Sequence, residues 1–293
     1  MAVDRESLPE SGDLSQGFFY RIKRDIQSAT ECMELRFDNI PVEDGSLLVD
    51  SLSQDPDIER HRPRFSYNSY TQVLHILIMP TEVHDTHQDW IEDERIDMMA
   101  TGFLSYAEGK ILKTRVGTTL SAFQGRYAGS RKEPDLMLRY DSDPLPSFVI
   151  ESGWSESLPR LRSDMRLWLV GGQPEVQIVI ILNWKDFRHH NPTYQRNIRG
   201  LGERLRKCPS PKAKWENPDI QTIPITRAQL SGPAHLLPGT KASDIWHLRV
   251  DNLRAWATEA VRLKFDTYGL ARRPEASSEQ PSAHNLPKTK PVT

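Results

Sequence analysis

The sequence is nearly without cysteine: Cys32 and Cys208 are the only two in 293 residues, and they stand far apart. That excludes a disulfide framework and a thiolate zinc site, and it suits a reducing compartment. Long apolar runs are lacking too. No stretch reaches the length of a membrane span, and the amino terminus, MAVDRESLPESGDLSQ, has no apolar signal region. The expectation is an intracellular protein, cytoplasmic or nuclear, with no membrane partner. Nor is there an excess of charge of one sign. With 38 Lys and Arg against 40 Asp and Glu, no overall field draws nucleic acid, although a local basic patch stays open. No internal repeat is found, and the sequence leaves the oligomeric state open.

What is present suits a globular domain: 37% hydrophobic and 27% charged residues. Residues 1–60 read as an N-terminal extension, partly disordered, and 61–270 as the core with a C-terminal elaboration. Residues 271–293, rich in Pro, Ser and Lys, read as a disordered tail. Within the first segment, Gly17–Ile26 has helical character, Cys32–Phe37 suits a strand, and Ser53–Pro63 suits a loop.

The first clear core strand is TQVLHILIM, Thr71–Met79, closed by Pro80. A helix follows to about Ser105. Its apolar face carries Val83, Trp90, Ile91 and Met98, with Glu94 in the middle. A carboxylate there either pairs with a nearby arginine or points into a site beneath the helix. Lys110–Leu120 alternates as a strand, and Gly125–Ser130 reads as a turn. Asp135–Tyr140 is a strand turned by Asp141–Pro144, and Phe148–Glu151 is its neighbour. Ser155–Val170 predicts a helix with Leu158, Leu161, Met165 and Trp168 on one face, ended by Gly171-Gly172. VQIVIIL, Val176–Leu182, suits a strand buried on both faces. Residues 184–230 hold a basic loop and a strand near Ile220–Ile225, and Ala242–Tyr268 predicts a closing amphipathic helix with Ile245 and Trp246 on it. This order predicts an α/β sandwich with a mixed central sheet.

The chemistry concentrates in SRKEPDLMLRYDSDPLPSFVIESGWSESLPRLRSDMRLWLV, residues 130–170. Asp135 opens one short apolar strand and Glu151 closes the next. An aspartate starting one strand and a glutamate ending its neighbour is how a sheet brings two carboxylates to one metal ion. The alternative for Asp135 is a simple strand-entry residue. Glu151 closing a buried strand is costly unless paired, which favours a site. His84, His87, His189 and His190 show no metal spacing and read as surface residues. Trp154, Trp168, Trp184 and Trp246 read as core.

The run MPTEVHDTHQDW, then GSRKEPDLMLR, then ESGWSESLPRLRSDMRLWL, resembles a group of uncharacterised fungal proteins with a restriction-endonuclease-like PD-(D/E)XK core. The resemblance covers roughly residues 61–184. It implies a three-layer sandwich, a mixed central sheet flanked by helices, and phosphodiester hydrolysis with Mg²⁺, nucleic acid being the implied partner. It places the family's aspartate on Asp135 and the second acid on Glu151 as metal ligands, with Glu94 as a helical acid helping to hold the metal or its waters. The motif's lysine belongs two residues after the second acid, and Gly153 stands there. In this superfamily the cation can move to the neighbouring helix, which offers Arg162 and Arg166; Lys185 is a further candidate. An arginine stabilises charge but is a poor proton shuttle. The other expectation is therefore a non-catalytic protein of this fold, a binding or accessory factor, for example in a fungal metabolic pathway. A serine hydrolase is a distant third, because Gly153-Trp154-Ser155-Glu156-Ser157 lacks the second glycine of a nucleophile elbow.

Overall fold

The computed structural model describes residues 11–30, 33–78, 82–154, 158–184 and 222–270. In chain order the elements are α1 (Ser11–Gln27), β1 (Met33–Phe37), α2 (Val42–Ser53), α3 (Pro56–Glu59), β2 (Arg64–Asn68), β3 (Val73–Ile78), α4 (Glu82–Ala100), α5 (Tyr106–Ile111) and β4 (Leu112–Arg115). Then follow β5 (Arg131–Lys132), β6 (Leu136–Tyr140), β7 (Phe148–Trp154), α6 (Leu158–Arg166), β8 (Ile178–Trp184), β9 (Thr222–Thr226), α7 (Arg227–Ser231), β10 (Ile245–Arg249) and α8 (Val250–Leu270). The fold is mixed α/β.

The strands form two four-stranded sheets and one pair. The first sheet runs β1-β3-β2-β5 and is antiparallel throughout. Its apolar side meets α1, α2 and α3 in a core that includes Ile22, Ile26, Val49, Leu52, Ile58, Leu74 and Ile76. The segment expected as an N-terminal extension thus supplies helices and an edge strand to this core. The Gly45 position in α2 touches the ring of Tyr67, where a Cβ would stand 2.1 Å from it. Only glycine permits that approach.

The second sheet runs β4-β6-β7-β8, with β7 and β8 parallel and the other pairs antiparallel. Side chains alternate across it, as strand geometry requires. Leu136, Leu138, Phe148 and Ile150 pack on one face with Trp90, Ile91 and Met98 of α4 and Leu253 and Ala257 of α8. Met137 and Val149 pack on the other with Leu167 and Trp168, which lie in a π-helical turn, Leu167–Gly171, continuing α6. The central sheet is therefore mixed and has helical elements on both faces.

Several expectations shift. Arg64–Asn68 forms a strand that the sequence reading does not include: Phe65 and Tyr67 alternate with Ser66 and Asn68 in β2, the central partner of β3. The expected strand over 110–120 splits into α5, which carries a Ser105–Glu108 capping box, and β4. Ile245 and Trp246 belong to a strand and not to the closing helix, because Ile245–Arg249 pairs with Thr222–Thr226; α8 begins after it at Val250. His87 is fully buried instead of lying at the surface. Among the described residues, no helix is long and apolar enough to cross a membrane.

Candidate functional site: a buried carboxylate and cation cluster

Strand register delivers the acid pair. Leu136 stands opposite Ile150 and Met137 opposite Val149 in the antiparallel β6–β7 ladder. One step beyond, Asp135 comes opposite Glu151. Both share the parity of Met137 and Val149, so both belong to the face covered by α6 and its π-helical turn.

Each acid is held by donors from the chain itself. Arg64 Nη1 donates to Asp135 Oδ1 at 2.7 Å, and the Ser152 backbone N–H donates to Asp135 Oδ2 at 2.6 Å. Lys132 Nζ donates to Glu151 Oε2 at 2.9 Å, and Trp168 Nε1 donates to Glu151 Oε1 at 2.7 Å. Lys132 also reaches Asp164 Oδ2 at 3.2 Å, and Arg160 meets the same oxygen at 3.2 Å and Glu34 at 2.9 Å. Arg64 turns its other nitrogen to Asp85 at 2.9 Å and lies 4.0 Å from Glu133. Six carboxylates (Glu34, Asp85, Glu133, Asp135, Glu151, Asp164) thus face three cations (Arg64, Lys132, Arg160).

Burial first, and the charge imbalance second, shift the titration of the cluster. Burial pushes the Glu133 carboxyl up to about 7, against the pull of Arg64 and with the push of Asp135. Burial likewise raises Glu151 to about 8, the attraction of Lys132 being outweighed with help from Asp164 and Asp135. Lys132 behaves in the opposite sense for a buried amine. Burial alone would lower it, but Asp164 and then Glu151 hold it charged, above its ordinary value. One ammonium therefore serves two carboxylates, and burial with the neighbouring negative charge raises both Glu133 and Glu151 above the ordinary carboxylate range.

Two spaces adjoin the cluster. An inner cavity of about 20 Å³ is lined by Arg64, Lys132, Glu133, Asp135 and Glu151 among others, enough for a single water-sized particle. An outer cleft of about 780 Å³ has Arg60, Arg62, Asp85 and Gln88 on its walls. Arg64 and Glu133 line both.

Of the residues singled out in the sequence, Asp135 and Glu151 come together. Glu94 does not join them. It is fully buried on α4, where Oε1 accepts from the Arg249 backbone N–H at 3.0 Å and Nε at 3.2 Å, and Oε2 accepts from Trp246 Nε1 at 2.8 Å. It is the glutamate paired with an arginine. Arg162 and Arg166 are exposed on α6, and Lys185 lies outside the described residues. The cation facing Glu151 is Lys132, three residues before Asp135 in sequence and on a strand of the other sheet. Sequence reasoning missed it and Arg64, because neither sits at a motif spacing. The one available signal for Arg64 was the Phe65/Tyr67 alternation of its strand.

The donor chemistry suits a hard cation in kind, since carboxylate oxygens are what Mg²⁺ prefers. As arranged, however, the residues do not fit one. Every oxygen of Asp135 and Glu151 already accepts from an N–H of the chain. Among the described residues no three His, Cys, Asp or Glu side chains converge as metal ligands. Comparison with known proteins finds no matching family model, no matching curated protein and no matching solved structure.

Proposed function

We propose that this chain is a restriction-endonuclease-like protein of the PD-(D/E)XK type that keeps the acid pair of that fold as a buried ion network and works as a binding or accessory factor. The element order supports the fold. Helix α4, antiparallel β4, β6 and β7, helix α6 and parallel β8 follow one another as such a core requires. The observation that carries the function is the full engagement of both carboxylates by Arg64, Lys132, Trp168 and the Ser152 backbone. A guanidinium 2.7 Å from Asp135 repels a dication, and replacing it costs the desolvated pair it forms.

One observation favours a second reading, the Mg²⁺-dependent nuclease. Lys132 Nζ, 2.9 Å from Glu151, supplies the cation that Gly153 cannot. Asp135, Glu151 and Lys132 would then be the reacting set for phosphodiester hydrolysis, with nucleic acid as partner.

Calorimetric titration of the protein with Mg²⁺ and Mn²⁺, beside Asp135→Ala and Glu151→Ala, separates the two. The ion-network reading expects no uptake by the wild type and no cleavage of plasmid or single-stranded DNA. Uptake and cleavage that both variants abolish would establish the nuclease instead.

A further inference from the structure

Three arginines line the outer cleft, Arg60, Arg62 and Arg64. Two of them are already engaged. Arg64 lies between Asp85 at 2.9 Å and Asp135 at 2.7 Å, and Arg60 meets Asp57 at 2.6 Å. Arg62 has no carboxylate partner among the described residues. Its backbone is left-handed, with a φ of 47°, and its N–H donates to the Glu59 carbonyl at 2.9 Å. Glycine or asparagine holds such a turn with less strain, so what an arginine adds there is its side chain. The cleft itself, about 780 Å³, has room for a small organic molecule and not merely for an ion. Ile58 and Phe65 are buried in its wall, and Val116 stands 43% exposed on it. An apolar body therefore finds apolar wall in the same cleft as one uncommitted guanidinium. Glu59, Asp85 and Glu133 also line the cleft, and they disfavour a ligand of several negative charges.

We propose that the outer cleft binds a small organic carboxylic acid as its anion, with the carboxylate on Arg62 and the apolar body against Ile58, Phe65 and Val116. This role rests on the chain being a binding factor, and it gives that factor a ligand class. The planar fork of an arginine meets a carboxylate through two parallel N–H donors, so the pair fixes the ligand's orientation. Burial of the apolar body against the wall supplies the larger share of the affinity. A single charge is all that the cleft has a free cation to meet.

The test is calorimetric titration of the full chain with 2-naphthoate, with its neutral counterpart 2-naphthylmethanol, and with inorganic phosphate. The wild type is expected to bind one 2-naphthoate, roughly tenfold or more tighter than either comparator. Arg62→Gln should weaken 2-naphthoate by about the same factor and leave 2-naphthylmethanol unchanged, whereas Val116→Asn should weaken both. Both substitutions fall at exposed positions, so the variants should keep the thermal transition of the wild type. No binding of 2-naphthoate, or binding that Arg62→Gln leaves unchanged, overturns the assignment. A single-stranded oligonucleotide that displaces 2-naphthoate and binds tighter than it also overturns the assignment, because the occupant is then a polyanion. None of these results touches the ion-network reading, which the Mg²⁺ and Mn²⁺ titration tests on its own.

Discussion

Replacing Glu133 by glutamine should take one proton out of the pH dependence of folding. The Glu133 side chain is only 8% exposed, and burial lifts its carboxyl from the ordinary 4.5 to about 7. A carboxyl raised in this way favours the native state when protonated. Its contribution is fully present below the unfolded value of 4.5 and is lost as the pH rises through about 7. The gap amounts to roughly 3 kcal/mol, with roughly 2 kcal/mol of it falling between pH 5 and pH 7. Glutamine mimics the protonated acid at every pH, so the variant should nearly match the wild type at pH 5 and exceed it progressively toward pH 8. Urea denaturation of both proteins at half-unit pH steps gives the difference curve directly, with the other titrating groups cancelling. A flat difference curve would refute the reasoning, because the carboxyl would then be ionised in the native state at neutral pH.

Lys132→Met leaves Glu151 and Asp164 buried without their ammonium, and should cost about 3–5 kcal/mol in chemical denaturation; adding Glu151→Gln should recover part of that loss. Gly45→Ala drives a methyl into the Tyr67 ring, whose hydroxyl is fixed by donation to the Ile40 carbonyl at 2.9 Å. Overpacking should outweigh the gain of roughly 1 kcal/mol in helix propensity and lower stability by about 1–3 kcal/mol, read as a lower urea midpoint. Glu94→Ala strips acceptors from Trp246 and Arg249, and should cost about 2–3 kcal/mol in chemical denaturation.

The central sheet was legible because its strands are short apolar runs bounded by turn residues, and Asp135 and Glu151 fall on the same parity of paired strands, although β7 runs on past the expected end at Glu151 to Trp154. Glu94 was legible as a buried acid from its position between Trp90 and Met98 on one helical face. Its partner was not, since Trp246 and Arg249 lie more than 150 positions away, on a strand that reads as the start of a helix. Lys132 and Arg64 were illegible as site residues for the same reason. Their role comes from a second sheet laid against the first, and pairing between sheets leaves no periodic trace in either strand.

Every cation of the cluster crosses a structural seam. Arg64 and Lys132 project from the N-terminal sheet toward acids of the central one, and Arg160 reaches back from α6 to Glu34 on β1. The charges therefore act as rivets between two layers that each have an apolar core of their own. A chain cut at residue 60 would lose Glu34 and α1–α3, and would present the remaining rivets to water. The two sheets are consequently bound into one cooperative unit, in which neither layer opens without baring buried charge in the other.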